Sequence, residues 1–230
     1  MPAETEVTSV SIDRVNVEID GRAILTDVSA DLTARRIAVI GANGSGKSTF
    51  ARLLNGLAAP TSGRVRVQGL DTVRDRSAVR QRVGFVFTDP DAQILMPTPA
   101  EDLALSLRGQ PKAEVAVKVA AALAEHGLSA HADVPASSLS GGQKQMLALA
   151  SVLITEPAVV VADEPTTLLD LANARRVGDI LLSQRAQLVL VTHDLDLAAR
   201  CDVALRFEAG RLVHQGEPAA VIDAYRRECA

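Results

Sequence analysis

The chain has 230 residues, of which 47% are hydrophobic and 23% charged, values that suit one large globular domain or a domain with a small subdomain. Its formal net charge is −4 and aromatic residues make up 2% of it, which argues against a nucleic-acid surface and against base-stacking platforms. The polar segment Met1–Thr8 does not have a signal-peptide pattern, no apolar run approaches the ~18 residues that span a membrane, and Cys201 and Cys229 are expected to be reduced thiols.

The first part of the chain predicts a small antiparallel sheet followed by a glycine-rich loop. Apolar residues alternate from Val10 to Ile19, and the turn Asp20-Gly21 leads to a second alternating run between Val28 and Leu32. The apolar run Ile37–Ile40 then predicts a buried parallel strand, and the loop Gly41-Ala42-Asn43-Gly44-Ser45-Gly46-Lys47-Ser48-Thr49 follows it. Apolar residues at helical spacing come next: Phe50, Leu53, Leu54 and Leu57.

A strand, a glycine turn and a helix in this order form the arrangement of a P-loop, which predicts nucleotide binding. Glycines allow the backbone to turn sharply and to bring several N–H groups within reach of phosphate oxygens. Lys47 supplies a charge for the outer phosphates, and Ser48 offers a hydroxyl to Mg²⁺. The helix N-terminus favours anions, so the other polar and glycine positions of the loop are also assigned to the phosphates: Gly41, Asn43, Gly44, Ser45, Gly46 and Thr49.

The remaining chain predicts strands and helices on both sides of a helical insert. Strands are expected at Val65–Val67 and Val83–Phe87, and the segment Thr88-Asp89-Pro90-Asp91 predicts a turn. Helices are expected at Glu101–Leu107 and at Lys112–His126, where the following glycine ends the helix. The later elements are helices at Ser140–Ile154, Leu171–Ser183 and Ala219–Arg227, and strands at Val159–Ala162, Leu188–Val191, Val203–Phe207 and Arg211–Val213.

This pattern predicts an α/β fold of the P-loop NTPase type. Strands without polar alternation indicate a mainly parallel sheet core that helices cover on both faces. A small antiparallel β subdomain precedes the core, and an α-helical subdomain is inserted in it. We expect one domain over residues 1–230, with residues 9–90 and 155–225 forming the core and the β subdomain and residues 91–154 forming the helical subdomain.

Two later strands end in polar residues that suit phosphate chemistry. Asp163 and Glu164 follow the strand Val159–Ala162, and His193 follows Leu188–Val191. Ligands of a parallel sheet gather at the carboxyl ends of its strands, where the P-loop also lies. Asp163 is therefore predicted to hold Mg²⁺, Glu164 to polarise an attacking water, and His193 to orient the γ-phosphate. A solvated acidic turn and a structural histidine are the alternatives.

The segment Leu139-Ser140-Gly141-Gly142-Gln143 opens a predicted helix. Ser140 and Gln143 have the spacing of a capping box, so a well-capped helix is one explanation. Gly141 and Gly142 are poor helix formers, each costing roughly 1 kcal/mol relative to alanine. A helix that needed only a cap would not use two glycines, so the exposed N–H groups of this terminus predict a second anion site.

Together and in this order, the motifs resemble those of the nucleotide-binding subunits of ABC transporters, over nearly the whole chain. The corresponding segments are Gly41–Thr49 (Walker A), Leu139–Gln143 (signature motif), Val159–Glu164 (Walker B with the catalytic glutamate), Thr167–Asp170 (D-loop) and His193 (switch histidine).

The resemblance implies an ATPase that binds ATP and Mg²⁺ as a head-to-tail pair of subunits. Ser140–Gln143 of one subunit would cap the ATP on the P-loop of the other, and a homodimer is favoured because one chain carries every motif. Its implied partners are a transmembrane energy-coupling protein and a substrate-specific membrane subunit, but no nucleic acid. The implied location is peripheral, on the cytoplasmic face of the bacterial cell membrane.

Two positions depart from the family pattern. The family has a glutamine directly after the strand Val83–Phe87, where this chain has Thr88, whose hydroxyl can offer an oxygen to Mg²⁺ or its water; Gln93 downstream is the other candidate. The aromatic residue that stacks on adenine in the family corresponds to Ile19. Stacking on an aromatic ring is worth ~1–3 kcal/mol per base, of which an aliphatic side chain keeps only part. Modest nucleotide affinity and weak discrimination of ATP from GTP are therefore expected.

Within the family, Phe87–Ile94 and Pro97–Asp102 are similar to the energy-coupling-factor (ECF) ATPases, which drive vitamin and metal-ion uptake. With Asp163–Asp170, the greatest similarity is to the ATPases of biotin uptake systems. The alternatives are an ECF-type cobalt or nickel importer, another ABC transport system, and an ATP-gated clamp without a transport function. Such clamps insert long coiled coils before the signature motif, whereas this chain has a short insert that prolines interrupt.

Overall fold

The computed structural model describes residues 10–228, so Met1–Thr8 and Cys229 lie outside the described part. The strands are β1 (Val10–Ile19), β2 (Arg22–Leu32), β3 (Arg36–Ile40), β4 (Ser62–Val67), β5 (Leu70–Asp71), β6 (Val83–Val86), β7 (Val159–Asp163), β8 (Gln187–Val191), β9 (Val203–Glu208) and β10 (Arg211–Gly216). The helices are α1 (Lys47–Leu54), α2 (Arg76–Arg82), α3 (Pro99–Ser106), α4 (Lys112–Glu125), α5 (Gly141–Leu153), α6 (Leu171–Ser183), α7 (Leu195–Ala198) and α8 (Pro218–Glu228).

The larger sheet has six strands in the order β10-β9-β3-β8-β7-β6. All neighbouring pairs from β9 to β6 are parallel, and β10 is antiparallel to β9. Strands β7 and β8 are buried along their whole length, as expected for a sheet covered on both faces. Val191 lies opposite both Val39 and Asp163, so the carboxyl ends of β3, β7 and β8 meet at one edge of the sheet.

The smaller sheet is antiparallel and has the order β2-β1-β4-β5. Its apolar face packs with Phe50, Leu53 and Leu54 of α1 in one hydrophobic core. The turn between β9 and β10 joins this sheet to the P-loop. Gly210 in that turn accepts a hydrogen bond from Thr26 N (2.8 Å) through its carbonyl and donates its N–H to the Ser45 carbonyl (3.1 Å).

Helices α3, α4 and α5 build a second hydrophobic core that extends to the other face of the large sheet. Thr98 caps α3 by accepting a hydrogen bond from Glu101 N, and Pro99 occupies the first turn, where its missing N–H is harmless. Gly127, with φ +72°, directly follows His126, the C-cap residue of α4. Within residues 10–228, no helix has both the length and the apolar character that a membrane span requires.

The predicted fold class is confirmed: a mainly parallel sheet core, a small antiparallel sheet and an inserted group of helices. The sequence pattern missed β5, α2 and α7, which are too short to show a period. It was wrong about Leu57, because α1 ends at Leu54, Gly56 takes φ +69°, and Leu57 is 43% exposed beyond that turn. Ile19 ends β1 with 51% of its surface exposed and so departs from the buried side of its strand.

Candidate active site

The P-loop connects β3 to α1, and two of its glycines are required by close contacts. Gly41 has φ +144°, and a Cβ there would lie 2.2 Å from the carbonyl oxygen of Phe207. Gly46 has φ +100°, and its Cβ would lie 2.6 Å from Leu25 Cδ2. Because any side chain would collide at both points, the loop can pass this closely between β9 and β2 only with glycine.

The loop forms the wall of a cleft of about 280 Å³. The residues that line the cleft are Ile24, the P-loop residues Asn43, Gly44, Ser45, Gly46, Lys47, Ser48 and Thr49, and Glu164. A larger groove of about 580 Å³ lies between α3 and α4, with mostly apolar walls. The chemistry-bearing residues converge on the smaller cleft, which makes it the candidate active site.

Lys47 lies on the floor of this cleft and is 6% exposed. Its Nζ donates hydrogen bonds to the carbonyl oxygens of Gly41 (2.7 Å) and Ala42 (3.0 Å). Burial lowers the pKa of the ammonium group, and the nearby carboxylates of Glu164 and Asp163 oppose this shift. These carbonyls accept hydrogen bonds from the ammonium group of Lys47 but do not neutralise its charge. A phosphate group would do both, and would therefore be a better partner for Lys47 than the carbonyls of its own loop.

Asp163 is a buried carboxylate, 2% exposed, beside two hydroxyl groups. Ser48 Oγ donates to its Oδ1 (2.9 Å), and Thr88 Oγ1 donates to its main-chain carbonyl (2.8 Å). Burial raises the pKa of Asp163, whereas the hydrogen bond from Ser48 lowers it. The three residues predicted to hold the metal therefore lie together in the structure.

The donor set of Ser48 and Asp163 fits Mg²⁺, which prefers hard oxygen ligands and is usually bound through one or two carboxylates. A cation would also stabilise the buried carboxylate of Asp163, which lies beside the Ser48 hydroxyl. No group of three or more His, Cys, Asp or Glu residues within the described part of the chain could hold a metal ion. The other ligands would therefore come from a nucleotide and water, as is usual for Mg²⁺ at phosphate sites.

Glu164 and His193 form a hydrogen-bonded pair above the ends of β7 and β8. Glu164 Oε2 lies 2.7 Å from His193 Nδ1 and accepts hydrogen bonds from His193 N (3.3 Å) and Thr167 Oγ1 (3.1 Å). Glu164 has φ +52°, an unfavourable conformation for a residue other than glycine, and its N–H is held by the Val191 carbonyl. The strained backbone aims the carboxylate at the P-loop cleft, which it lines.

The structure separates the roles of Thr88 and Gln93. Gln93 Oε1 accepts a hydrogen bond from Phe87 N (3.2 Å), while its Nε2 donates to the Ala148 carbonyl (2.7 Å) and to Ser151 Oγ (3.2 Å). These bonds tie the loop after β6 to α5 and use both ends of the amide. Thr88, which adjoins Asp163, is accordingly the better placed of the two for a metal or its water.

The signature segment lies at the N-terminus of α5. The predicted capping box is present: Ser140 Oγ accepts from Gln143 N (3.3 Å), and Gln143 Oε1 accepts from Ser140 N (2.8 Å). A Cβ on Gly142 would lie 2.7 Å from Asn173 Nδ2, but one on Gly141 would meet no atom within 4 Å. Nothing in the described chain therefore requires glycine at position 141. The lining of the P-loop cleft within residues 10–228 does not include these residues.

The cleft is also lined by an aliphatic residue, Ile24, that is not among the site residues predicted from the sequence. Ile24 on β2 lies beside the P-loop, whereas Ile19 pairs with Arg22 at the β1–β2 hairpin and is absent from the described lining. The period-two pattern of β2 gave no sign of this role, because a half-buried strand residue and a ligand contact have the same signature. The assignment of Ile19 to adenine stays a prediction.

A P-loop, a buried carboxylate with a neighbouring hydroxyl, and a glutamate–histidine pair at one edge of a parallel sheet define a P-loop nucleoside triphosphatase. The family model described as "ABC transporter" matches residues 25–167. The chain belongs to the ABC transporter family and is its ATP-binding component, an ATPase.

Individual relatives agree with this over nearly the full length. The biotin transport ATP-binding protein BioM of Rhizobium etli is 43% identical over 224 residues, which cover 96% of this chain and 99% of the relative. The energy-coupling factor transporter ATP-binding protein EcfA1 of Lacticaseibacillus paracasei is 40% identical over 86% of this chain and 74% of the relative. The structure of cbiO1 from Clostridium perfringens, part of the ABC transporter complex cbiONQ, matches with a TM-score of 0.83 and 30% identity, over 93% of this chain and 90% of that one.

Proposed function

We propose that the chain is the ATP-hydrolysing subunit of an ECF-type importer for biotin. It works as a homodimer bound to a transmembrane energy-coupling protein and a substrate-specific membrane subunit, at the cytoplasmic face of the bacterial cell membrane. The observation that carries this proposal is the 43% identity to a biotin transport ATP-binding protein over 96% of the chain. The similarity to EcfA1 supports the ECF type independently of the solute.

In this proposal the P-loop binds the phosphates of ATP. The backbone N–H groups of Asn43–Thr49 and the N-terminus of α1 surround them, and Lys47 exchanges the carbonyls of Gly41 and Ala42 for phosphate oxygens. Ser48 and Asp163 would hold Mg²⁺, with Thr88 close to them. When bound, Mg²⁺ neutralises charge that develops on the transferred phosphoryl group.

Glu164 orients the attacking water and accepts its proton, since its carboxylate lines the cleft beside the P-loop. His193 holds that carboxylate through Nδ1, and we assign it the further role of orienting the γ-phosphate. In the geometry described here, the glutamate also binds Thr167 of the D-loop segment. Rearrangement of these contacts would therefore connect the D-loop to the hydrolytic position.

The second half of the site is proposed to come from another subunit. Ser140 and Gly141 are exposed, and they begin a helix terminus of the kind that binds anions, to which no acidic side chain of residues 10–228 is bonded. In a head-to-tail dimer they would cap the ATP of the second subunit. Residues 91–154 are proposed as the helical subdomain that passes the motion to the membrane partner.

The solute does not contact the ATPase, so it has to be tested in the assembled transporter. The chain would be purified with its native membrane partners, which are then identified, and uptake of labelled biotin, cobalt and nickel would be measured in cells and in a Lys47→Ala strain. ATP-dependent biotin uptake that is lost in the variant is the expected result. Uptake of cobalt or nickel without uptake of biotin would mean that the solute is a metal ion and not biotin. Purification of the chain without any membrane protein would contradict an importer role.

A further inference from the structure

His131 lies outside the recognised motifs, in the 3₁₀ turn Ser129–His131 between α4 and α5. The turn is fixed by its backbone, because His131 N donates to the Leu128 carbonyl (2.8 Å) and Leu128 is 1% exposed in the helical core. The His131 ring reaches from this turn to the signature segment. Its Nε2 lies 3.0 Å from Gln143 Nε2.

The direction of this hydrogen bond follows from the capping box. Gln143 Oε1 accepts the hydrogen bond of Ser140 N (2.8 Å), so the other end of the amide, the NH₂ group, faces His131. An NH₂ group can only donate, so Nε2 of the ring must accept. The tautomer that fits this contact carries its ring proton on Nδ1.

The cost of this arrangement is visible in the structure. Nδ1 of His131 is buried and has no hydrogen-bond partner within the described residues 10–228. Unpaired buried polar atoms are uncommon in folded proteins, and each one calls for an explanation. The ring therefore leaves Nδ1 without a hydrogen bond in the described part of the chain, and its acceptor, Nε2, contacts Gln143 of the signature segment.

We infer that His131 is a positioning residue for the signature motif, acting through the Gln143 side chain. It fixes the amide that closes the capping box, and the capping box in turn sets the direction of the Ser140 hydroxyl and of the first N–H groups of α5. Those groups are the ones assigned to the ATP of the second subunit, so the inference rests on the proposed function. Without the bond from His131, the Gln143 amide can rotate and release Ser140.

Two substitutions of His131 separate the hydrogen bond from packing. His131→Leu removes the acceptor and keeps a side chain of moderate size, whereas His131→Gln places a carbonyl oxygen near the position of Nε2. In the nucleotide-free chain, hydrogen exchange of the Ser140 and Gln143 amides should rise about three- to tenfold in the leucine variant, as expected for one lost hydrogen bond. It should stay near the wild-type rate in the glutamine variant.

The same variants are then compared in the native transporter complex. ATP turnover should fall about three- to tenfold in His131→Leu and recover in His131→Gln. ATP binding to the isolated chain should be equal in both, because the P-loop half of the site is untouched. In a Gln143→Met background, His131→Leu should have no further effect on turnover, since the two residues act through one bond.

The outcomes are distinguishable from failure of the proposed function. Wild-type exchange and turnover in His131→Leu, or equal losses in the leucine and glutamine variants, would overturn the inference. Faster exchange with unchanged turnover would also overturn it, because the bond would then not serve the signature motif. A wild-type complex that does not hydrolyse ATP would contradict the proposed function, while the exchange measurement would still decide whether His131 holds Gln143.

Discussion

The P-loop edge and the N-terminus of α5 are both helix starts that are proposed to bind the phosphates of ATP, but they are built differently. At the P-loop edge, residues far apart in sequence meet: Ser48 with Asp163, Thr88 with Asp163, and Glu164 with His193. At α5 the polar contacts are local, between Ser140, Gln143 and His131. The first region is a site assembled by the fold, whereas the second is a capped helix with an exposed end.

The glycines show the same difference. Gly41 and Gly46 are needed because the chain itself leaves no space for a side chain. Gly141 has open space around it, so its own chain gives no reason for glycine. When nothing in its own subunit requires a glycine at a position, the close approach of another molecule is the best explanation for the missing side chain. This difference supports the proposal that the cleft carries the chemistry and that α5 presents a surface to a second subunit.

The largest expected effect is at Glu164, the glutamate that is proposed to activate water. Glu164→Gln should keep ATP binding, because the P-loop contacts remain, and lower turnover by about 10²–10⁴-fold, the usual contribution of a general base. Glu156→Gln is a matched control, since Glu156 has a similar backbone conformation (φ +51° against +52°) and is exposed. Steady-state ATPase assays on the native complex measure both. Turnover near the wild-type rate in Glu164→Gln would remove this residue from the mechanism.

The second prediction tests whether α5 serves another subunit. Ser140→Arg should leave ATP binding to the isolated chain unchanged and reduce turnover of the complex by about 10²–10³-fold, as for loss of one preorganised donor group. Ser137→Arg, at an exposed position just before the segment, is the control. Equal ATPase rates in the two variants would mean that α5 is only a capped helix and does not serve a second subunit.

The two signature glycines should respond differently to alanine. Gly142→Ala should destabilise the chain, because its Cβ would lie 2.7 Å from the Asn173 side chain, which is bonded to Asp170. Gly141→Ala should stabilise it by about 0.5–1 kcal/mol, since alanine is the better helix former and has space. Turnover should nevertheless fall in Gly141→Ala. Urea unfolding and ATPase assays measure the two effects, and a Gly141→Ala variant with unimpaired turnover would argue against a molecule docking there.

The smallest effect concerns the buried carboxylate at the P-loop edge. The folded chain raises the pKa of Asp163 through burial, so this group favours folding at low pH, and that contribution is lost as the pH rises through its raised pKa. At neutral pH the ionised carboxylate therefore destabilises the nucleotide-free chain. Asp163→Asn should raise its Tm at pH 7, by about 2–4 °C for each kcal/mol gained. The difference from wild type should narrow as the pH falls, and a lower Tm at pH 7 would contradict a desolvation cost.

The sequence predicts the parts of the site that lie at the ends of strongly apolar strands. Asp163, Glu164 and His193 are predicted in this way, because a buried strand followed by polar residues is a local pattern. Gln93 could not be assigned from the sequence, since two of its three hydrogen-bond partners lie 55 and 58 residues away on α5. The sequence does not single out Ile24, because a half-buried strand residue and a ligand contact show the same period-two pattern. It does not single out His131, because its contact with Gln143 depends on how the α4–α5 connection folds back on the start of α5.

The turn that carries Gly210 has a consequence for nucleotide recognition. Its carbonyl holds β2 beside Ile24 and its N–H holds the P-loop at Ser45, while a Cβ at this glycine would lie 2.5 Å from the Ile24 carbonyl. One residue thus fixes the spacing between the strand that flanks the cleft and the loop that binds the phosphates. The distance between β2 and the P-loop in this cleft therefore depends on the backbone of a turn that is not among the residues lining the cleft in the described part of the chain.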